Sequence, residues 1–200
     1  MSLLVETIKV KDGEIFNIDY HSKRFNKTRK DIFNAGPPVD LSDKIIIPAY
    51  ARKGLFKCRI EYDRHIRKID FSPYELKRIR TLRLIDAGDL EYHHKFINRD
   101  KIDQLLEQKG ECDDILMVKN GKITDTSCAN IILKAEDHTW YTPSSYLLRG
   151  TKREFLLDSG LILEKDITPG SLGKFKELRL INSMIDIEDT DSIAVSSIYF

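Results

Sequence analysis

Residues 4–18, LVETIKVKDGEIFNI, place two β-rich arms on either side of Asp12-Gly13. That dipeptide favours a tight turn, so the stretch predicts a β-hairpin. DYHSKRFNKTRKDIFNAG follows, with Phe25, Ile32 and Phe33 at helical spacing and a stop at Gly36 and Pro37-Pro38. GLFKCRIEYD and IRKIDFSPY are strand-like runs around a turn at Asp63-Arg64, and RTLRLIDAG is a third. The pattern up to this point predicts a small antiparallel sheet with one or two helices.

Beyond it, NRDKIDQLLEQKG carries Ile102, Leu105 and Leu106 on one helical face. DDILMVKNGKITDT predicts a second hairpin turning at Asn120-Gly121, and ANIILKAEDHTWYTP two more short strands. In GTKREFLLDSG, Thr151 and Glu154 stand at the spacing of a capping box, which predicts a short helix. LILEKDI and ELRLINSMI are strands around a Gly-containing connection. No repeat or low-complexity tract interrupts the chain. The expected architecture is α+β with two β-rich lobes, residues 1–87 and 88–200, divided near Ala87-Gly88. A cleft between lobes is the default place for a ligand.

Composition narrows the function classes. The 200 residues are 41% hydrophobic and 32% charged, enough for a core and against wholesale disorder. Lys plus Arg number 33 against 32 acidic residues, a net charge of +1. That balance gives no whole-molecule pull toward nucleic acid or anionic membrane. Cys58, Cys112 and Cys128 are far apart and form no CxxC pair, which indicates a reducing compartment rather than a disulfide framework. No apolar run approaches the roughly 18–20 residues of a membrane span, and the start MSLLVETIKV has no signal-peptide stretch. A cytoplasmic location is expected.

Three stretches carry candidate chemistry. EYHHKFINRD sets His93 and His94 before Lys95. Adjacent strand histidines point to opposite faces and no third ligand stands at metal spacing, so a metal site is not expected. A polar strand end and a lysine prepared for carbonyl chemistry both stay open. LLRGTKRE places Gly150, where a ligand can approach backbone, before a helix start whose dipole favours an anion; a merely well-capped helix is the alternative. ITDTSCANII gathers small and hydroxylated residues behind Asp125, which suits a flat ligand or an ordinary loop.

Together these pieces resemble the fold-type IV family of pyridoxal-phosphate enzymes across nearly the whole chain. The resemblance rests on ETIKV, YHSKRF, KFINR, ITDTSCANI, WYTP, LLRGTKRE and ELRLINSMI in that order. It implies a small N-terminal α/β sandwich lobe, a barrel-like C-terminal lobe with helices, and pyridoxal 5'-phosphate as cofactor. Lys95 matches the Schiff-base lysine, Arg24 the phosphate-anchoring arginine, and Thr151 and Lys152 after Gly150 the helix start that cups the phosphate. Ser183 matches its hydroxyl ligand, with Met184 contributing backbone. Asp125 stands where most members have a glutamate paired with the pyridine nitrogen, and is one methylene shorter. A homodimer is implied, with the site completed by the partner chain.

Within the family, the KFINR spelling, the Ala129-Asn130 pair and Asn182-Ser183 lean toward 4-amino-4-deoxychorismate lyase, which feeds folate synthesis. A branched-chain or D-amino-acid aminotransferase and a non-catalytic member are the alternatives. A small-molecule substrate with a carboxylate calls for a cation near the cofactor, for which Arg59 and then Lys9 are the candidates; a surface charge on a strand edge is the plainer reading of either.

Overall fold

The first hairpin turns where Asp12 and Gly13 both adopt positive φ, 50° and 85°. It joins β1 (Leu4–Lys11) to β2 (Glu14–Ile15) in a computed structural model that describes residues 3–200. Helix α1 (Ile18–Phe33) ends on Asn34, in the left-handed region at φ 45°. It therefore stops two residues before the expected Gly36. The next strands, β3 (Leu55–Tyr62) and β4 (Ile66–Pro73), complete an antiparallel sheet in the order β2-β1-β3-β4.

Period-two alternation decides what each face of this sheet does. Leu4, Ile8 and Val10 of β1 and Phe56, Cys58 and Ile60 of β3 are buried in one core with Phe25 of α1. Glu6 sits among them at the same parity. The odd positions, Thr7 with Arg59 and Lys9 with Lys57, pair on the opposite face. A later piece of chain returns to the edge of β1. Val5 donates its amide to the Lys95 carbonyl at 2.9 Å, Ile97 donates to Leu3 at 3.0 Å, and Phe96 bridges Leu4.

The remaining elements are β5 (Leu82–Asp86), α2 (Asp100–Leu106), β6 (Asp114–Lys119), β7 (Lys122–Thr126), β8 (Asn130–Ala135) and β9 (Trp140–Pro143). They continue as α3 (Thr151–Asp158), β10 (Leu163–Lys165), β11 (Phe175–Ile181), β12 (Ile193–Ala194) and β13 (Ile198–Tyr199). Two mixed sheets result, β13-β5-β6-β7 and β10-β9-β8-β11-β12. Their shared core includes Leu82, Leu116, Ile123, Ile131, Leu133 and Leu178. The second hairpin turns at Asn120-Gly121 with φ 52° and 73°. Among the described residues, no helix is long and apolar enough to cross a membrane.

The compact units differ from the division drawn after Ala87. One comprises residues up to Glu75 with His94–Asn98, the other Leu76–His93 with Arg99–Phe200. The strand β5, expected in the first antiparallel sheet, pairs in parallel with β6, Leu82 opposite Asp114. The reason lies in β6: Ile115, Leu116 and Met117 are all buried, and a run buried on both faces is the kind that parallel neighbours flank. The segment carrying Lys95 joins the first unit because its backbone hydrogen bonds go to β1.

Candidate active site

The candidate residues fall into two groups, one in each unit. In the first, the inner face of α1 presents His21, Arg24 and Thr28, three and four residues apart, which puts them on one stripe of the helix. Glu6 of β1 meets that stripe. Its carboxylate is fully buried and accepts from Arg24 Nε at 3.0 Å on one oxygen and from Arg24 Nη2 at 2.6 Å on the other. The second oxygen also lies 2.6 Å from His21 Nδ1.

Burial alone would raise the Glu6 carboxyl, but the Arg24 charge and the His21 bond outweigh it and hold it at about 2. Ionised Glu6 can only accept, so His21 Nδ1 carries the proton. Burial pushes the His21 pKa down; Glu6 opposes that, while the Arg24 and Lys95 charges add to it. His21 is therefore a neutral ring between an anion and two cations. Lys95 is half-buried. Its neighbour Phe96 packs against the core of this unit, and His94 Nδ1 lies 3.3 Å from Thr28 Oγ1. His93 belongs to the other unit and pairs with Glu91.

In the second unit, Asp125 on β7 is buried with both oxygens engaged. One accepts from Asn130 Nδ2 at 2.9 Å; the other accepts from the amides of Leu147 at 3.2 Å and Leu148 at 2.9 Å. Burial pushes its pKa up to about 6, an effect that these hydrogen bonds and the Arg153 charge only partly offset. Asn130 spends its second amide hydrogen on the Leu148 carbonyl at 3.0 Å. Asp125 and Asn130 thus clamp the turn that leads into Gly150 and α3.

This clamp explains Gly150. Its φ of −70° is open to any residue, so conformational freedom is not the reason for glycine. A Cβ there would stand 1.9 Å from Asn130 Oδ1. Asn130 alone therefore already calls for glycine at this position. Gly150→Ala is expected to displace Asn130 and to destabilise the protein by about 1–3 kcal/mol, the usual range for overpacking. Thermal denaturation with an unchanged midpoint would refute this account of the clamp.

The helix start differs from the expected capping box. Gly150 is the N-cap and Thr151 the first helical residue, with no side-chain cap. Glu154 pairs with Arg149 and, at 3.1 Å, with Arg153. The box fails because Thr151 lies one position too far into the helix for its hydroxyl to serve as the cap. Lys152 is 5% exposed and pairs with Asp186, next to the turn that holds Ser183 and Met184. In that turn Met184 donates its amide to Asn182 Oδ1 at 2.8 Å, so the Ser183 hydroxyl is the group with chemistry to offer.

The two substrate candidates share the sheet face opposite α1. Arg59 donates to Glu61 at 3.0 Å and stands across from Asp70, so acids already balance its charge. Lys9 is 5% exposed, with its ammonium 5.7 Å from the Phe16 ring centre. Sequence reasoning missed Glu6, His21 and Asn130. Glu6 was the most accessible of them: an acid at a core-facing position of an alternating strand demands a buried partner.

Taken unit by unit, the residues are of the kinds a pyridoxal phosphate needs. The first unit offers a half-buried primary amine and an arginine fork, which suit an aldehyde and a phosphate, and the second a helix start that suits a phosphate. A buried acid raised by desolvation is what a protonated pyridine nitrogen would compensate. The family model described as amino-transferase class IV matches residues 3–193. An uncharacterized protein of Haemophilus influenzae is 36% identical over 183 residues, 90% of this chain and 97% of its own. A Haemophilus somnus 129pt structure, described provisionally as a 4-amino-4-deoxychorismate lyase, is 35% identical with a TM-score of 0.84, covering 92% of this chain and 97% of that one. The PLP-bound form of a hypothetical aminotransferase from Mycobacterium tuberculosis shares the fold at 17% identity and TM-score 0.75, over 98% and 81% of the two chains.

The chain belongs to the class IV aminotransferase family. It is a pyridoxal-phosphate-dependent enzyme of mixed α+β fold, and its family spans lyases and aminotransferases.

Proposed function

We propose that this enzyme is a 4-amino-4-deoxychorismate lyase, releasing pyruvate and 4-aminobenzoate for folate synthesis. The observation that carries the reading is the likeness to the Haemophilus somnus protein, at 35% identity over 92% of this chain. The Ala129-Asn130 and Asn182-Ser183 spellings support the same branch.

In this reading Lys95 holds the cofactor covalently through its aldehyde carbon. Arg24, the Thr151 and Lys152 amides after Gly150 and the Ser183 hydroxyl hold the phosphate, and Met184 shapes the turn beside it. Asp125 faces the pyridine nitrogen. When bound, the cofactor supplies an electron sink for charge that develops at the substrate's Cα. As a free amine beside the bound substrate, Lys95 would take the proton from the substrate's Cα. Loss of that proton would let the bond between the ring and the enolpyruvyl oxygen break, the electron pair leaving with the oxygen. The ring becomes aromatic, and the departing enolpyruvate takes up one proton, in balance with the one removed, to become pyruvate. Lys9 and Arg59 are the proposed contacts for substrate carboxylates. The working form is a homodimer in the cytoplasm.

Product analysis decides between the two reactions the family runs. A lyase returns its cofactor to the aldehyde form in every cycle, so pyruvate and 4-aminobenzoate should appear in equal amounts from 4-amino-4-deoxychorismate with no 2-oxo acid present. An aminotransferase stops after one half-reaction until an acceptor arrives. Conversion of a branched-chain or D-amino acid to its oxo acid, without pyruvate release from the chorismate derivative, would overturn the proposal.

A further inference from the structure

Arginine is long and conformationally free, and a guanidinium that must meet a phosphate in one geometry gains from being held there beforehand. The first unit contains such a holder. Glu6 grips the Nε and Nη2 edge of Arg24 with one oxygen on each nitrogen, 3.0 and 2.6 Å away, the two-point geometry that fixes a guanidinium plane. This grip uses two of the five N–H groups. The Glu6 and His21 side chains are fully buried, whereas Arg24 is 14% exposed, so the arginine alone reaches the surface of the cluster.

From this geometry we infer that Glu6 is a positioning residue for the cofactor phosphate, acting through Arg24, with His21 as the strut that fixes Glu6. The inference rests on the reading of Arg24 as phosphate anchor. The strut is needed because a carboxylate gripped from one side could still rotate about its last bond. His21 Nδ1, 2.6 Å from the oxygen that also meets Arg24 Nη2, closes that freedom. It does so as a neutral ring, so that the cluster holds one anion against the Arg24 cation. A second cation at that spot would compete with Arg24 for Glu6. Glu6 does not touch the reacting atoms in this account; it determines how an anion is met.

Affinity for pyridoxal phosphate and for pyridoxal, titrated by absorbance into the full chain stripped of cofactor, separates this role from a general structural one. Glu6→Gln removes the charge and keeps the shape. It should weaken pyridoxal phosphate by about 10-fold, the scale of one charge-assisted contact. Pyridoxal, which has no phosphate, should bind as it does to wild type. Arg24→Gln should show the same selective loss, and the double variant should be no weaker than Arg24→Gln alone.

If Arg24→Gln leaves pyridoxal phosphate affinity intact, the phosphate-anchor reading itself fails. If Arg24→Gln weakens it and Glu6→Gln does not, the anchor stands and the inference about Glu6 is overturned. Equal losses for both ligands in Glu6→Gln would also overturn it, because they would mark a general loosening of the unit. Should Glu6→Gln not fold, the comparison is read on Glu6→Asp, which keeps the charge but shortens the reach. A smaller loss, still confined to the phosphorylated ligand, is expected there, and an equal loss for both ligands would again overturn the inference.

Discussion

Lys95→Ala is expected to lower turnover by about 10³-fold or more, within the range for removing a positioned acid-base group. It should leave the fold intact, because Lys95 is tied to β1 through its backbone carbonyl, which alanine keeps. Circular dichroism of the variant should match wild type. Borohydride reduction of cofactor-loaded wild type, followed by peptide mapping, should place a pyridoxyl group on Lys95. An adduct on a different lysine would falsify the assignment. A variant with near-normal turnover would sink it equally.

The second large effect is expected at Asp125. Asp125→Ala removes the acceptor for one side-chain donor and two backbone amides. Each buried donor left unsatisfied costs about 1–3 kcal/mol, so a clear loss of stability is expected even after relaxation. If Asp125 also faces the pyridine nitrogen, kcat should fall by roughly 10²–10³-fold, as when one preorganised charge-stabilising group is removed. The covalent link at Lys95 should survive. Chemical unfolding measures the first effect, and kinetics on protein still folded and saturated with cofactor measure the second. A destabilised variant with full kcat would show that Asp125 serves the Gly150 turn alone.

What could be read from the sequence divides along the range of the interactions. The two hairpins were legible because Asp12-Gly13 and Asn120-Gly121 encode their own turns. The span of α1 was legible because its apolar spacing is local. Partner choice was not. Nothing in RTLRLIDAG says whether β5 lies against β4 or β6; burial of β6 on both faces decides that only once the sheets have assembled. The Thr151 to Glu154 spacing suggested a cap, yet the helix begins one residue earlier than a box requires. Gly150 was singled out for the approach of a ligand; the close neighbour in the structure, Asn130 Oδ1, was hidden in a small-residue run. Family motifs pointed to Arg24; only the three-dimensional pairing shows that Glu6, fifteen residues before His21, grips it.

The return of His94–Asn98 to β1 also has a consequence for how the chain matures. Leu4 and Phe96 are 92 positions apart, and every residue between them must be made before that pairing can close. Contacts of such long sequence separation form late, because loop-closure entropy is spent before they reward it. A nascent chain ending at Glu75 can hold β1 against β3 while the edge that receives Lys95 stays open. The amine assigned to the cofactor thus reaches its place only when the last segment of its unit docks. On the proposed assignment of Lys95, cofactor capture would be a timestamp on the completion of that unit.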